Sequence, residues 1–293
     1  MARTRKATVG TAKDGHATGW ETAGPGDGDT PPTPADPRAA AFFDVDNTMM
    51  QGASIYWLAR GLAARNYFTT RDLARFAWQQ LRFRVFATEH AGSMSRAKEI
   101  ALAFVAGWRV EDVERLTEEI FDELMAPRIW RGTRALAEQH VADGQRVWLV
   151  TAAPVEIGRV IADRLGLTGA IGTVAEIRDG AYTGRLVGDL MHGAAKAEAV
   201  IRLAAVEGLD LTRCAAYSDS SNDLPMLSAV GRAVAINPDS ALRRTARERG
   251  WPVYDFRTGR KAARIAVPST AAAGLLAGAV TAVLAARRRR GIG

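Results

Sequence analysis

Residues 41–50 read AFFDVDNTMM. An apolar run stops abruptly in two aspartates, Asp44 and Asp46, separated by one valine. The run has the texture of a buried strand of a parallel sheet. Two like charges at the end of such a strand lose hydration and repel each other. A chain that keeps them there has a use for them, and their surroundings in the sequence indicate what it is.

The pattern around this strand divides the chain. Residues 1–38 are rich in Gly, Thr, Pro and Asp (GPGDGDTPPTPADP) and carry too little apolar surface to offset their ordering entropy, so disorder is expected there. Residues 54–126 show helical periodicity, with Thr69, Ser95 and Asp112 as cap or first-turn residues. After Pro127 the pattern alternates. TRALAEQHVADG predicts a helix, RVWLVTAA a buried strand and VEIGRVIADRLGL a helix; a short strand and a hairpin turning at Asp179-Gly180 come next. AAKAEAVIRLAAVEGL is helical, RCAAYSDS is a strand that again stops in an acid, and LPMLSAV is a helical turn. RAVAIN and WPVYDF are late strands. Strands alternating with helices predict a parallel α/β sheet, with the helical block at 54–126 inserted after the first strand.

Composition sets limits. The 293 residues are 47% hydrophobic and suffice for one large domain or two modest ones. A single cysteine, Cys214, excludes an internal disulfide framework and a Cys-based zinc site, and its apolar neighbours place it in the core. The four histidines, His16, His90, His140 and His192, lack ligand spacing. The net charge of +7 comes from the end of the chain: from Arg257 onward there are eight basic residues and no acid. The rest is close to neutral, so the charge does not mark a nucleic-acid groove. No apolar stretch follows Arg3, Arg5 and Lys6, so no secretory signal is expected.

In open α/β sheets ligands bind beyond the carboxyl ends of the strands. The residues at those ends form a coherent set. Asp44, Asp46 and Thr48 follow the first strand, Thr151 follows VWLV, and Lys196 opens a later helix. Asp219, Asn222 and Asp223 follow RCAAY. Several carboxylates in one place call for a cation, and an oxygen-rich set suits Mg²⁺, which keeps few protein ligands and takes phosphate oxygens besides. A lysine and a hydroxyl supply donors to phosphate. One carboxylate can act as nucleophile, and a neighbouring carboxyl as acid and then base. Each residue alone has a plainer reading: a strand-end turn for the aspartates and Thr151, a solvated helix position for Lys196, a turn and helix cap for Asp219 and Asp223. The ordered set outweighs these readings.

DVDNT, Thr151, Lys196 and SDSSNDLPML resemble, in order, the four motifs of the haloacid dehalogenase superfamily, subfamily IB, the phosphoserine-phosphatase-like branch. The resemblance covers about residues 39–256. It implies a doubly wound Rossmann-like parallel sheet at 39–53 and 127–256, with an inserted all-helical C1-type cap at 54–126. It also implies a Mg²⁺-dependent phosphatase that cleaves a phosphomonoester through an aspartyl-phosphate. Asp44 would be nucleophile and metal ligand. Asp46 would be proton donor and then base, its backbone carbonyl also reaching the metal. Thr151 would bind the phosphoryl group, Lys196 would neutralise it and steady Asp44, and Asp219 would complete the metal ligands. Thr48, Asn222 and Asp223 would support them. A phosphotransferase, or a regulator that keeps the fold without catalysis, is the alternative; retention of the complete set speaks against the regulator.

One departure bears on the substrate. Phosphoserine phosphatases carry a glutamate about five residues after the motif threonine, to read the substrate amino group. MMQGASI places Ala53 there, which argues against phosphoserine. Arg82, Arg84 and Arg96 are candidate readers of a small phosphorylated substrate. They lie in or near RFAWQQLRFRVF, an amphipathic cap helix whose basic and aromatic composition would also suit a membrane surface.

Residues 257–293 form a basic tail containing an uncharged stretch, 266–286. As a helix this stretch would measure about 32 Å, close to the roughly 30 Å of a bilayer. It is a candidate transmembrane helix that would leave the catalytic part in the cytoplasm and suit a lipid-linked substrate. A water-exposed Ala-rich helix is the alternative. Gly274 and Gly278 have the spacing of a helix-pairing face in lipid, which would give a homodimer, and Arg287–Arg290 would suit anionic headgroups.

Overall fold

The computed structural model describes residues 36–67 and 106–257. In chain order the elements are β1 (Ala40–Asp44), α1 (Ser54–Ala64), α2 (Val110–Ile120), α3 (Arg131–Ala142), β2 (Arg146–Pro154), α4 (Val155–Arg164), β3 (Gly169–Thr173), β4 (Ala175–Arg178) and β5 (Ala181–Leu186). There follow α5 (Ala194–Glu207), β6 (Ala215–Ser218), the short α6 (Leu224–Ser228), β7 (Arg232–Ile236), α7 (Ser240–Glu248) and β8 (Val253–Tyr254). A π-helical turn, Phe121–Met125, extends α2.

Six strands form one parallel sheet in the order β3-β2-β1-β6-β7-β8. The chain therefore winds outward from β1 in one direction and then, from β6, in the other. This is the doubly wound arrangement, and its reversal falls between β1 and β6. β4 and β5 make a separate antiparallel hairpin. Its turn residues Asp179 and Gly180 have φ of 51° and 75°. Two positive φ values in a two-residue turn are what Asp-Gly supplies at low cost.

Strand alternation explains how both faces are covered. All five residues of β1 are buried. Ala41 and Phe43 face one apolar cluster, with Leu149 of β2, Ile161 of α4, and Leu58 and Leu116 of α1 and α2. Ala40 and Phe42 face the other, with Val200 of α5, Cys214, Met226 and Leu242. Cys214 is thus a core residue, as its neighbours in sequence suggested. On the first face Phe43 and Tyr217 stack in parallel with centroids 4.1 Å apart. The Tyr217 hydroxyl lies 2.7 Å from His140 Nε2, which satisfies its polar end inside the core.

The helical block from residue 54 begins and ends on this core, since α1 and α2 share a cluster with β1 and β2. Just ahead of α2, Gly107 and Val110 donate backbone hydrogen bonds to Tyr182 and Gly180 of the hairpin, and Trp108 accepts one from Tyr182. Among the described residues no helix is long and apolar enough to cross a membrane. Residues 266–286, Gly274, Gly278, Arg82, Arg84 and Arg96 lie outside the described residues. α7 stands where no element is predicted from the sequence, although Leu242 and Ala246 are buried one turn apart behind the capping Asp239.

Candidate active site

Register brings the acids together. β1 and β2 pair with Asp44 beside Val150, so Thr151 is the next residue along the same edge. β1 and β6 pair with Phe43 beside Tyr217, which puts Ser218 level with Asp44 and Asp219 one step beyond. Asp44 and Asp219 therefore stand at the carboxyl ends of β1 and β6, with Thr151 beside them on β2, three residues before that strand ends, at the point where the winding reverses. Asp44 and Thr151 are buried.

Lys196 reaches this edge from the first turn of α5. Gly193 precedes the helix with φ 56° and ψ −121°, a conformation that a side chain would resist. The Lys196 ammonium is buried. It donates to Asp44 Oδ1 at 2.5 Å and to Asp223 Oδ2 at 2.9 Å. Asp223 also accepts from the Ser218 hydroxyl at 2.7 Å. Asp223 thus anchors the lysine, so its contacts run to Lys196 and Ser218. Asn222 lies on the same turn, its backbone N–H donating to Ser220 Oγ at 3.2 Å.

The loop after β1 is fixed on several sides. Asp46 Oδ1 accepts from the backbone N–H of Ser54, at the start of α1, at 2.8 Å. Thr48 donates its hydroxyl toward Asp219 Oδ1 at 3.4 Å, and its own carbonyl accepts from Thr133 Oγ1 at 2.8 Å. Asn47 adopts φ 64°, and its side-chain oxygen accepts from Gly52 N–H at 3.1 Å. Thr151 Oγ1 accepts from Ala153 N–H at 3.1 Å. Ser54, Thr133 and Ser218 are contributors not singled out from the sequence. A lone Ser or Thr gives no signal in a linear pattern, and only contact reveals these.

The electrostatics show which way the site is charged. One ammonium faces the carboxylates of Asp44 and Asp223, with Asp46 and Asp219 close by. Burial raises Asp44 to about 7; Lys196 opposes this, while Asp223 and Asp46 reinforce it. Burial, aided by Asp44 and Asp223, raises Asp219 to about 8. Asp46 is raised as well, by burial. For Lys196 burial acts downward, but Asp44 and Asp223 together outweigh it and keep the ammonium charged. A bound cation would relieve this excess of negative charge, and its donors would be hard oxygens, as Mg²⁺ prefers. Among the described residues no three acidic, histidine or cysteine side chains form a ready metal cage. An ion that takes two carboxylates and a backbone carbonyl, and fills the rest of its shell with water and phosphate, needs no such cage.

A doubly wound sheet with a buried aspartate and lysine at its switch point, and further acids just after the adjacent strand, is an arrangement suited to phosphoryl transfer. The sequence profile of haloacid dehalogenase-like hydrolases matches residues 41–228. The chain belongs to that family, in its phosphoserine-phosphatase-like branch. It is 55% identical over 257 residues to a Mycobacterium tuberculosis protein named phosphoserine phosphatase SerB1, covering 88% of this chain and 83% of that one. A solved structure of a Bordetella pertussis protein of unknown function superposes with a TM-score of 0.65 and 31% identity, covering 75% of this chain and 99% of that one. A phosphoserine phosphatase solved as a phospho-aspartyl intermediate analogue superposes with a TM-score of 0.50 at 18% identity, over 75% of this chain and 93% of that one; this likeness concerns the fold.

Proposed function

We propose that the chain hydrolyses a small phosphomonoester in two successive phosphoryl transfers through an aspartyl-phosphate on Asp44. The observation that carries this reading is the buried ammonium of Lys196 held between Asp44 Oδ1 and Asp223 Oδ2, with the Asp46 carboxyl tied to Ser54 beside it. In the first transfer an Asp44 oxygen attacks phosphorus while the bond to the leaving oxygen breaks, and Asp46 gives that oxygen its proton. Asp46 suits this task because burial raises its carboxyl. In the second transfer Asp46, now a carboxylate, takes a proton from water as the water oxygen attacks phosphorus. The bond to Asp44 breaks, inorganic phosphate leaves and both carboxyls are restored.

Lys196 holds Asp44 in place and balances the phosphoryl charge, and Thr151 donates its hydroxyl to a phosphoryl oxygen. Asp44, the Asp46 backbone carbonyl and Asp219 would hold Mg²⁺, which when bound neutralises the phosphoryl oxygens.

We further read the substrate as one other than phosphoserine. Ala53 precedes α1, and neither it nor the first turn of that helix offers an acid to receive an amino group. A relative's name points the other way, so phosphoserine is the discriminating substrate. The experiment is turnover of a panel of phosphomonoesters, including phosphoserine and p-nitrophenyl phosphate, by wild type and Asp44→Asn with Mg²⁺. Wild-type turnover should exceed that of the variant at least about a thousandfold, because an amide cannot accept the phosphoryl group. A variant within tenfold of wild type would remove Asp44 from the nucleophile's role. A preference for phosphoserine of more than tenfold would overturn the substrate reading and leave the reaction class standing.

A further inference from the structure

The loop between β7 and α7, Asn237-Pro238-Asp239, lies far in sequence from the first acidic loop and contributes none of the groups assigned above to the reaction. It is bonded to both acid-bearing loops. Asn237 is buried at φ 46° and makes three contacts. Its side-chain amide donates to the carbonyl of Asn47, the residue after Asp46, at 3.3 Å. Its side-chain oxygen accepts from Phe256 N–H at 2.7 Å, and its own N–H donates to the Tyr254 carbonyl at 2.8 Å. The left-handed backbone lets these contacts point in different directions, and asparagine adopts it more readily than most residues.

Asp239 grips the other loop. Its backbone N–H donates to the Asp219 carbonyl at 2.8 Å. Its carboxylate divides between two donors: Oδ2 accepts from Ser221 N–H at 2.8 Å and Oδ1 from Leu242 N–H at 2.7 Å. The second contact is an ordinary helix N-cap for α7. The first is not, because Ser221 belongs to the 219–223 turn. One carboxylate therefore fastens the acidic turn to a helix end, and two positions away an amide fastens the Asp46–Thr48 turn to the same loop. The Thr48 hydroxyl also spans the two turns, at a long 3.4 Å.

We infer that Asn237 and Asp239 are positioning residues that fix the spacing between the Asp46 carbonyl and the Asp219 carboxylate, and so set the affinity of the site for a divalent cation. This rests on the proposed function only in its choice of Mg²⁺ ligands. Partners that orient metal ligands from outside are worth about ten- to a hundredfold in affinity or activity. Mobility of either turn spoils a site whose oxygens must meet one ion at once.

The decisive variant is Asp239→Ser. Serine still caps α7 through Leu242 N–H, but its single short hydroxyl cannot also serve Ser221. Magnesium binding to the full-length protein, stripped of metal, is measured by titration calorimetry, and the thermal midpoint of the stripped protein is recorded beside it. The expected result is a Mg²⁺ affinity lowered about tenfold with the midpoint within about 2 °C of wild type. At saturating Mg²⁺ the KM for p-nitrophenyl phosphate should stay within twofold. An affinity within twofold of wild type overturns the inference, as does a wild type that binds no Mg²⁺. Should Asp239→Ser fail to fold, Asn237→Asp is judged by the same criteria, since it keeps the acceptor for Phe256 and loses the donor to Asn47. Wild-type turnover decides the proposed function separately. A wild type that binds Mg²⁺ tightly, loses affinity in the variant and turns over no phosphomonoester would uphold the brace and sink the phosphatase.

Discussion

Two of the ion-pair sets that join distant parts of the described chain differ in what they are for. Lys196, Asp44 and Asp223 have side chains no more than 8% exposed. Arg164 of α4 pairs with Glu118 and Asp122 of α2 and the turn after it, with side-chain exposures between 36% and 57%. The second set lies in water, where the Coulomb energy of a pair is small and much of its worth is lost in ordering long side chains. The first has given up its hydration, so each charge depends on its partners. A fold that needed only stability would fill that space with apolar groups. The buried set is therefore the part of the molecule shaped by chemistry, and the exposed set decorates a surface already held by packing.

Removing the buried ammonium tests this contrast most severely. Lys196→Met should destabilise the metal-free protein by about 3–5 kcal/mol in urea unfolding at pH 7, because two buried carboxylates lose their common partner. A loss below 1 kcal/mol would mean that these charges are effectively hydrated and that the comparison with the surface set fails. Turnover should fall as well, since Lys196 holds the Asp44 carboxylate that is proposed to attack phosphorus.

The pH dependence gives the next largest effect. Asp44 and Asp219 are held near 7 and 8 by burial, against an ordinary value of 3.8 for each. At neutral pH the folded state keeps protons that the unfolded chain has released. Stability from these two groups is thus present in full below about pH 4 and lost as pH rises through 7 and 8. His140 works in the opposite sense at lower pH, because burial holds its ring below the ordinary value. Above pH 7 it is largely neutral in both states. The thermal midpoint of the metal-free protein should therefore fall between pH 7 and 8.5, and saturating Mg²⁺ should flatten the fall by favouring the ionised carboxylates. A midpoint that does not change across this range without metal would show that the acids are already ionised at pH 7.

These groups were legible in the sequence because their chemistry is compressed into short runs. Asp44 and Asp46 stand two apart at a strand end, and SDSSNDLPML carries its acids within one turn, so the order of motifs pointed to the α/β fold and to the acids that the fold brings together. Asp179-Gly180 marked its own hairpin by the same locality. Asp223 was legible as a member of the set but not as the lysine's anchor, since that depends on where α5 begins. Ser54, Thr133, Ser218 and Asn237 act through contacts spanning between 5 and 190 residues. Such contacts leave no periodicity, and a small polar residue near a turn has many other reasons to be there. α7 had a readable cap in Asp239 and a readable pair in Leu242 and Ala246. Its three arginines and single leucine hid that stripe in a segment that is otherwise polar.

A smaller change inside the buried set separates charge from hydrogen bonding. Ser218 is neutral, fully buried, and makes two contacts, donating to Asp223 and accepting from the Ser220 N–H at 3.1 Å. Ser218→Ala leaves every charge in place but strands one backbone donor and part of one carboxylate's shell. The expected cost is about 1–3 kcal/mol in urea unfolding, less than for Lys196→Met. Equal costs for the two would mean that hydrogen bonds rather than charge hold the cluster.

The surface set should respond least. Arg164 Nε donates to Asp122 Oδ1 at 3.0 Å, and its second nitrogen reaches Asp122 Oδ2 at 3.1 Å and Glu118 Oε2 at 3.3 Å. This two-pronged geometry is better than that of most surface pairs, and it ties α4 to the end of the inserted helical block. Hydrogen bonding to Arg164 accordingly pulls the Asp122 carboxyl below its ordinary range. Yet α2 and α4 already meet through Leu116, Ile120, Ile157 and Ile161, all nearly or fully buried. With the apolar contact in place, Arg164→Ala should shift the thermal midpoint by less than about 2 °C, and the shift should vanish in 0.5 M salt. A larger shift that persists in salt would show that this pair does structural work of its own. The helical block would then be held to the sheet by charge at its far end as well as by packing, and the contrast between the two ion-pair sets would be one of degree.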